Sequence, residues 1–467
     1  MAVKSLRSVL EQTKLGAQCA VTGRITAIRD HGRITFVDIT DHTGTIQATI
    51  QQRSSPVQHE QTQQLTEGSY VRIAGTLVAN NEQQEICTSG LEILAAATIT
   101  LDPKPWRMDG LDPIHGRQVF DYPSMYVANP QRAAVFSIKS QFVGALHYYF
   151  NANEFIYVEP PILTPRTLYG ADNAIAASVH GERVYLTQCA TFELEPLALA
   201  FGKVYTISPA FRNERSGSKR HLAEYTHAKA EVLLVDIDEL MDLAGQSIHE
   251  AITRTARASE RELALLGTDI DLHALHPEQH ERIRYDEAIT IVQRLGSTTQ
   301  AGSSLSHADE RLLTSYLGNK YVWVQFPPRA TEGFPYKRKP DEPNLAMVAD
   351  LIAPHGAGEM VGVAEKITDP EELIQNLLEK GQGPNIADFW EYVTMRRFGM
   401  PAHGGMGAAP ERIVYGLLSL DHIRLTKPWP IYPDRRLRKP NQQLETHGDP
   451  ELERLVDTYN LNTISSV

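Results

Sequence analysis

Residues 211–231, FRNERSGSKRHLAEYTHAKAE, decide how this chain is read. Arg212 and Glu214 sit two apart, so on an extended strand they face the same way. A loop of Gly, Ser, Lys and Arg follows. The chain then returns through His221, Glu224 and Tyr225 to a second run ending at Glu231. An arginine on a rigid strand forks onto phosphate oxygens, loop cations meet the distal phosphates, and an aromatic ring on the return strand stacks on a base. The stretch therefore suits a nucleoside triphosphate. A charged hairpin with a solvated loop is the plainer alternative.

Working outward, PAHGGMGAAPERIVYGLLSL at 401–420 belongs to a pattern of strand, glycine-rich turn and apolar helix over 400–420. Small residues at 404, 405, 407, 408 and 409 let a backbone pass close to a ligand. Arg412, near the helix N-terminus, is placed to meet a phosphate attracted there, although a helix-capping ion pair of Glu411 and Arg412 fits equally well. FIYVEPPILTP at 155–165 reads as a strand broken by prolines, and the segment from Val184 to Glu214 as strand, helix, strand. Helical spacing is expected over 131–151, through Ala134, Val135, Ile138, Phe142, Ala145, Leu146 and Phe150, and again near 237–266 and 370–380. The core is thus α+β with a mainly antiparallel sheet flanked by helices.

Residues 17–100 read differently. Five short alternating runs (20–30, 33–41, 44–51, 69–79 and 84–95) are separated by Gly, Asp, Asn or Ser turns, with a helix-like preface at 3–14. Five strands in about 85 residues suit an OB-type barrel, a common oligonucleotide binder that also serves as a purely structural module. Five prolines between 103 and 130 mark a linker. The expected divisions are a barrel at 1–100, a hinge at 101–130, a catalytic domain at 131–437 and a polar peripheral tail at 438–467.

A net charge of −12 argues against a generic nucleic-acid binder. Yet the first 53 residues carry seven Lys/Arg against four Asp/Glu, which puts any basic surface in the N-terminal part. No apolar run is long enough to span a membrane and the N-terminus has no signal-like apolar region, so a cytoplasmic location is expected. Cys19, Cys87 and Cys189 offer neither a disulfide framework nor a zinc spacing.

Together the segments at 155–165, 211–231 and 401–420 resemble motifs 1, 2 and 3 of the class II aminoacyl-tRNA synthetases, in the family's order. HLAEYTH is closest to the asparaginyl form within the asparaginyl/aspartyl branch. The resemblance covers roughly residues 15–437, with Pro161 as the motif 1 proline. It implies ATP-dependent activation of a carboxylic acid to an acyl-adenylate, transfer to tRNA, and a homodimer. It assigns Arg212 to the α-phosphate, Glu214 to the adenine region and the tRNA end, and His221 to the outer phosphates. Tyr225 would stack on adenine and Arg412 would meet the γ-phosphate, leaving Arg212 and Arg412 as the catalytic cations. Glu359 matches the metal-binding glutamate, with Asp350 the second candidate ligand for Mg²⁺, or else a simple strand-end aspartate. In the barrel, Phe36, Gln47 and Arg29 match the stacking aromatic, the base-reading amide and a backbone contact for an anticodon with a central uridine. The alternative is a core Phe36 and a surface Gln47.

The pocket for the amino acid departs from that family pattern. Tyr169 stands where a glutamate precedes the GA step, Thr191 replaces a glutamine while Gln188 is kept, and Lys229 replaces an acid that holds the substrate ammonium. Lys366 replaces an arginine that forks onto a carboxylate, whereas His403 matches the pocket histidine. A buried ammonium without acidic partners costs on the order of several kcal/mol. Either the acid is not bound as an ordinary α-amino acid, with Lys229 and Lys366 pairing anionic groups, or residues such as Glu193 compensate. The functional readings are therefore an asparagine enzyme, a paralogue activating another acid for tRNA or for an amine, and a silent binding paralogue.

Overall fold

In the N-terminal unit every strand alternates apolar and polar residues, and the alternation closes on itself. Gln18–Asp30, Ile34–Asp41, Gly44–Gln51, Tyr70–Asn80 and Gln83–Ala95 form a closed five-stranded barrel. The third and fifth strands pair in parallel and the first and fourth pair to complete the ring. Val21, Ile25, Val37, Ile39, Ile46, Ile50, Ile73, Leu77 and Ile86 fill its interior. Helix Leu6–Gln12, capped by the Ser5 hydroxyl, packs Leu6 against that core.

The computed structural model describes residues 5–51, 62–80, 83–99, 104–107, 109–111, 123–214, 218–430 and 450–458. Most of the expected hinge and tail lies outside these residues. What is described of the hinge is partly ordered by its own contacts: Pro105 is buried and its carbonyl accepts from the Asn129 side chain. Of the tail, Pro450–Thr458 is a helix. The described residues up to Ala133, Leu111 apart, belong with that helix to one unit, and Ala134 to residue 430 belong with Leu111 to the other.

The second unit is built on an eight-stranded sheet. Its order is Glu281–Arg284, Val322–Gln325, Val348–Ala353, Gly358–Glu365, His403–Ala408, Glu224–Leu233, Lys203–Phe211 and Ile156–Tyr157. All pairings are antiparallel except those of the two outermost strands. One face carries Ala228, Ala230, Val232, Val361, Val363, Met406 and Ala408 into the main core, where helices Pro130–Ala152 and Ile237–Ala258 cover it. All seven apolar positions expected on the helix at 131–151 are buried.

The opposite face carries the polar row. Lys229 pairs with Gly407, Gly407 with Gly362, and Gly362 with Asp350. Paired residues on neighbouring strands share a face, so two glycines separate a lysine from an aspartate across four strands. Strands lie about 4.8 Å apart, which sets that span at about 14 Å. The strand expected at the start of 400–420 is a central one, and it takes in the glycines that were expected to form the turn after it. Its glycines admit neighbouring side chains: a Cβ on Gly407 would lie 2.7 Å from His227 Nε2, and one on Gly405 2.5 Å from the Glu231 carboxylate.

Candidate functional site

The hairpin strands Lys203–Phe211 and Glu224–Leu233 position Arg212 at the lip of the polar face. Tyr225, buried on the return strand, accepts a 3.1 Å hydrogen bond from Arg212 Nε, and the guanidinium lies 5.1 Å from the ring centre. Tyr225 therefore first fixes the arginine, and whatever stacking surface it offers is shared with it. Arg212, His227, Glu359 and Gly407 belong to the walls of two adjoining clefts, of about 330 and 100 Å³.

The smaller cleft gathers Arg220, His221, Tyr225 and Arg412. Glu411 and Arg412 do not cap their helix as a pair. Glu411 is fully buried and accepts from Thr226 N and Oγ1 and from Lys139 Nζ, tying the helix to the hairpin. Arg412 reaches the cleft, where its NH2 donates to the Arg220 carbonyl at 3.1 Å. Burial, with Arg412 and Arg212 nearby, pushes His221 below its ordinary imidazole value. Glu214 is exposed and lines neither cleft.

At one end of the larger cleft stand Glu310, Glu332, Asp350 and Glu359. Burial first, and Glu359 and the other two carboxylates second, raise Asp350 well above the usual carboxylate range. Burial likewise raises Glu332 to about 7. Glu310 is paired with Arg220 at 3.0 Å. Among the described residues no three His, Cys, Asp or Glu side chains enclose a metal by themselves. Asp350 and Glu359, both lining the open cleft, still suit a hard cation that takes one or two carboxylates and completes its shell from phosphate oxygens.

The inner end differs in charge. Lys229 Nζ donates to Thr191 Oγ1 at 2.6 Å and to Glu231 at 3.3 Å, and Lys366 Nζ lies 3.8 Å from the same carboxylate. Lys229 and Lys366 are almost fully buried and Glu231 completely so. Glu231, on the Lys229 face of the same strand, is the acidic neighbour of both lysines. Burial opposes charge on Lys229, yet Cys189 and Glu231 beside it hold its value above that of a free lysine. Lys366 is lowered by burial and by Lys229.

Three of the expected pocket residues, Gln188, Thr191 and His403, stand behind the wall. Gln188 uses its carbonyl oxygen on the Leu168 and Tyr169 N–H groups, so it shapes the loop that presents Tyr169. His403 contacts the Pro401 carbonyl through Nδ1 and Glu195 through Nε2. Glu195 itself accepts from Arg396 at 2.7 Å and from the Tyr392 hydroxyl at 2.6 Å. Glu193 lines neither cleft, and burial raises it to about 7. Sequence reading missed Glu195, although it falls on the Thr191, Glu195, Ala198 stripe that this helix buries. It also passed over Cys189, His227, Glu332 and Tyr336, which line the larger cleft and carry no spacing signal of their own.

On the barrel, Arg29, Phe36 and Gln47 come together on the outer face. Arg29 pairs in register with Phe36, and Asp38 with Gln47. Phe36 is half-buried and lies outside the interior cluster, which removes the core alternative. Arg29 donates to both Asp38 oxygens and to Gln47 Oε1, while Gln47 Nε2 donates to Glu85.

Comparison with known proteins agrees with this geometry. The family described as tRNA synthetases class II (D, K and N) matches residues 117–433. The chain belongs to that family. Residues 20–94 of this synthetase match the OB-fold nucleic acid binding domain. The synthetase is 29% identical to the asparagine–tRNA ligase of Desulforamulus reducens over 89% of its own length and 96% of the relative's. It is 28% identical to that of Thermoplasma acidophilum, over 91% and 98%. The crystal structure of asparaginyl-tRNA synthetase from Pyrococcus horikoshii complexed with asparaginyl-adenylate superposes with a TM-score of 0.85 at 26% identity, covering 93% of this chain and 99% of that one. Among the described residues of the synthetase no helix is long and apolar enough to cross a membrane.

Proposed function

We propose that this synthetase uses ATP to convert a carboxylic acid to an acyl-adenylate and passes the acyl group to a tRNA, as the names of its relatives describe for asparagine. The observation that carries the reading is Arg212, held by Tyr225 in the wall common to both clefts. The triphosphate lies between Arg212 and the His221–Arg412 side, and the acid enters the larger cleft. A carboxylate oxygen attacks the α-phosphorus, the bond from that phosphorus to its bridging oxygen breaks, and pyrophosphate leaves. Arg212 and Arg412 stabilise the charge that shifts during this exchange. Asp350 and Glu359 would hold Mg²⁺, which supplies further charge neutralisation on the phosphates when bound.

The acyl group then moves to a ribose hydroxyl at the tRNA 3′ end. Residues 1–100 act as the anticodon-reading module, with Phe36 as the stacking platform and Gln47, poised by Arg29 and Glu85, as the amide for a central uridine. The catalytic domain, 131–437, works as a homodimer through the motif 1 segment, where Ile156, Tyr157, Ile162 and Leu163 are exposed. Pyrophosphate exchange in the Arg212→Ala variant tests the assignment. A fall of about 10³-fold is expected from the loss of a preorganised cation at the reacting phosphate, and near-normal exchange would refute it.

A further inference from the structure

The inner wall of the larger cleft carries more positive charge than the protein neutralises. Lys229, Lys366 and Glu231 sum to +1, and Glu193, which also feels Lys229, is raised by burial to about 7 and so neutralises them only in part near neutral pH. The next carboxylate behind them, Glu195, is already matched by Arg396. Lys229 has two oxygen partners, Thr191 and Glu231. Lys366 has no hydrogen bond from Nζ among the described residues. Its neighbours are the Glu231 carboxylate at 3.8 Å and the Tyr336 ring face at 4.4 Å. Both lysines line the cleft, and Lys366 is 2% exposed. A buried ammonium left short of acceptors is costly unless a ligand supplies them.

The row Lys229–Gly407–Gly362–Asp350 fixes where such a ligand sits. The carboxylates at the Asp350 end repel an anionic acid and suit the cation-bearing triphosphate. The lysine end, about 14 Å away across strands of ordinary spacing, attracts an acid. Gly407 and Gly362 keep the floor between them free of side chains. A molecule whose reacting carboxylate points to Arg212 therefore presents its far end to Lys366 and Lys229. An ammonium there would face two like charges.

We propose that the acid activated by this synthetase is a small dicarboxylic acid without an ammonium group, one carboxylate reacting near Arg212 and the second accepting from Lys366 and Lys229. The inference rests on the adenylation reading above and narrows its substrate.

The test is ATP–pyrophosphate exchange by the full chain with Mg²⁺, using succinate, L-malate, L-aspartate and L-asparagine, with ATP binding followed separately by calorimetry. Exchange with succinate or malate exceeding that with either amino acid supports the proposal. So does a rise of about 10- to 100-fold in the dicarboxylate KM in Lys366→Met, the worth of a hydrogen bond to a charged group, with Lys366→Arg closer to the parent. Exchange with asparagine or aspartate but with neither dicarboxylate overturns the proposal and leaves adenylation standing. Absence of exchange with all four acids, or absence of ATP binding, overturns the adenylation reading and this proposal with it. If Lys366→Met fails to fold, the same KM shift is read from Lys229→Gln.

Discussion

Replacing Glu195 by glutamine should unsettle the substrate pocket from behind. Glu195 is fully buried, and its two oxygens accept from Tyr392, Arg396 and His403. Burial alone would raise its pKa, but Arg396 and then His403 pull it well below the usual carboxylate range. The variant keeps the shape and removes the charge, leaving the buried Arg396 with the carbonyls of Ile367 and Tyr392 but no counter-ion. Breaking a buried pair from one side costs about 3–5 kcal/mol. At about 2 °C per kcal/mol in a unit of this size, Tm should fall by roughly 6–10 °C. Glu195 also favours the charged forms of Lys229 and Lys366. Because the folded value lies below the unfolded one, the carboxylate stabilises the fold above about pH 4.5, and that contribution is lost as pH falls further. Thermal melts of both proteins from pH 3.5 to 8, with exchange kinetics at neutral pH, are the assay. The gap in Tm should be full at neutral pH and narrow in acid. A variant melting within 2 °C of the parent at pH 7 would refute the counter-ion argument.

The other predictions are independent of that one. Phe36→Ala should weaken tRNA binding by about tenfold or more, the worth of one base stacked on an aromatic, without changing pyrophosphate exchange; unchanged tRNA affinity in a filter-binding assay would remove the barrel from recognition. Glu193→Gln should gain stability over the parent as pH rises from about 4.5 to 7, because burial raises the folded carboxyl to about 7 and ionisation there opposes folding; a Tm difference flat across that window would contradict it. Gly405→Ala would set a Cβ 2.3 Å from the Ala230 carbonyl and should cost about 1–3 kcal/mol or more, whereas Gly144→Ala, with open space around it in a helix, should stabilise by about 0.5–1 kcal/mol. Equal melting temperatures for those two variants would contradict the packing described for the sheet.

Much of this site was legible from the chain alone because its parts are local. Arg212 and Tyr225 sit in one hairpin, and their contact follows from the strand pairing that the sequence suggests. The five barrel strands were legible from their alternation, but a core Phe36 stayed open until the closed barrel left it outside the interior cluster. Local pattern gave the strand of this region but not its extent: the glycines of 403–408 look like the turn after it until the side chains of His227 and Glu231 on the neighbouring strand are seen to need the space.

The sequence by itself determined the fold class, the hairpin that carries Arg212 and the departure of Lys229 and Lys366 from the family pattern. Only the tertiary structure decided what those lysines meet. Lys229 and Glu231 are two apart on one strand, so their shared face is a local fact. Lys366 is more than 130 residues away in the chain, and Glu195 reaches the same wall from a helix. Which charges neutralise one another is a sum over distances between strands and helices that no stretch of sequence encodes. Among Lys229, Lys366 and Glu231 that sum is +1.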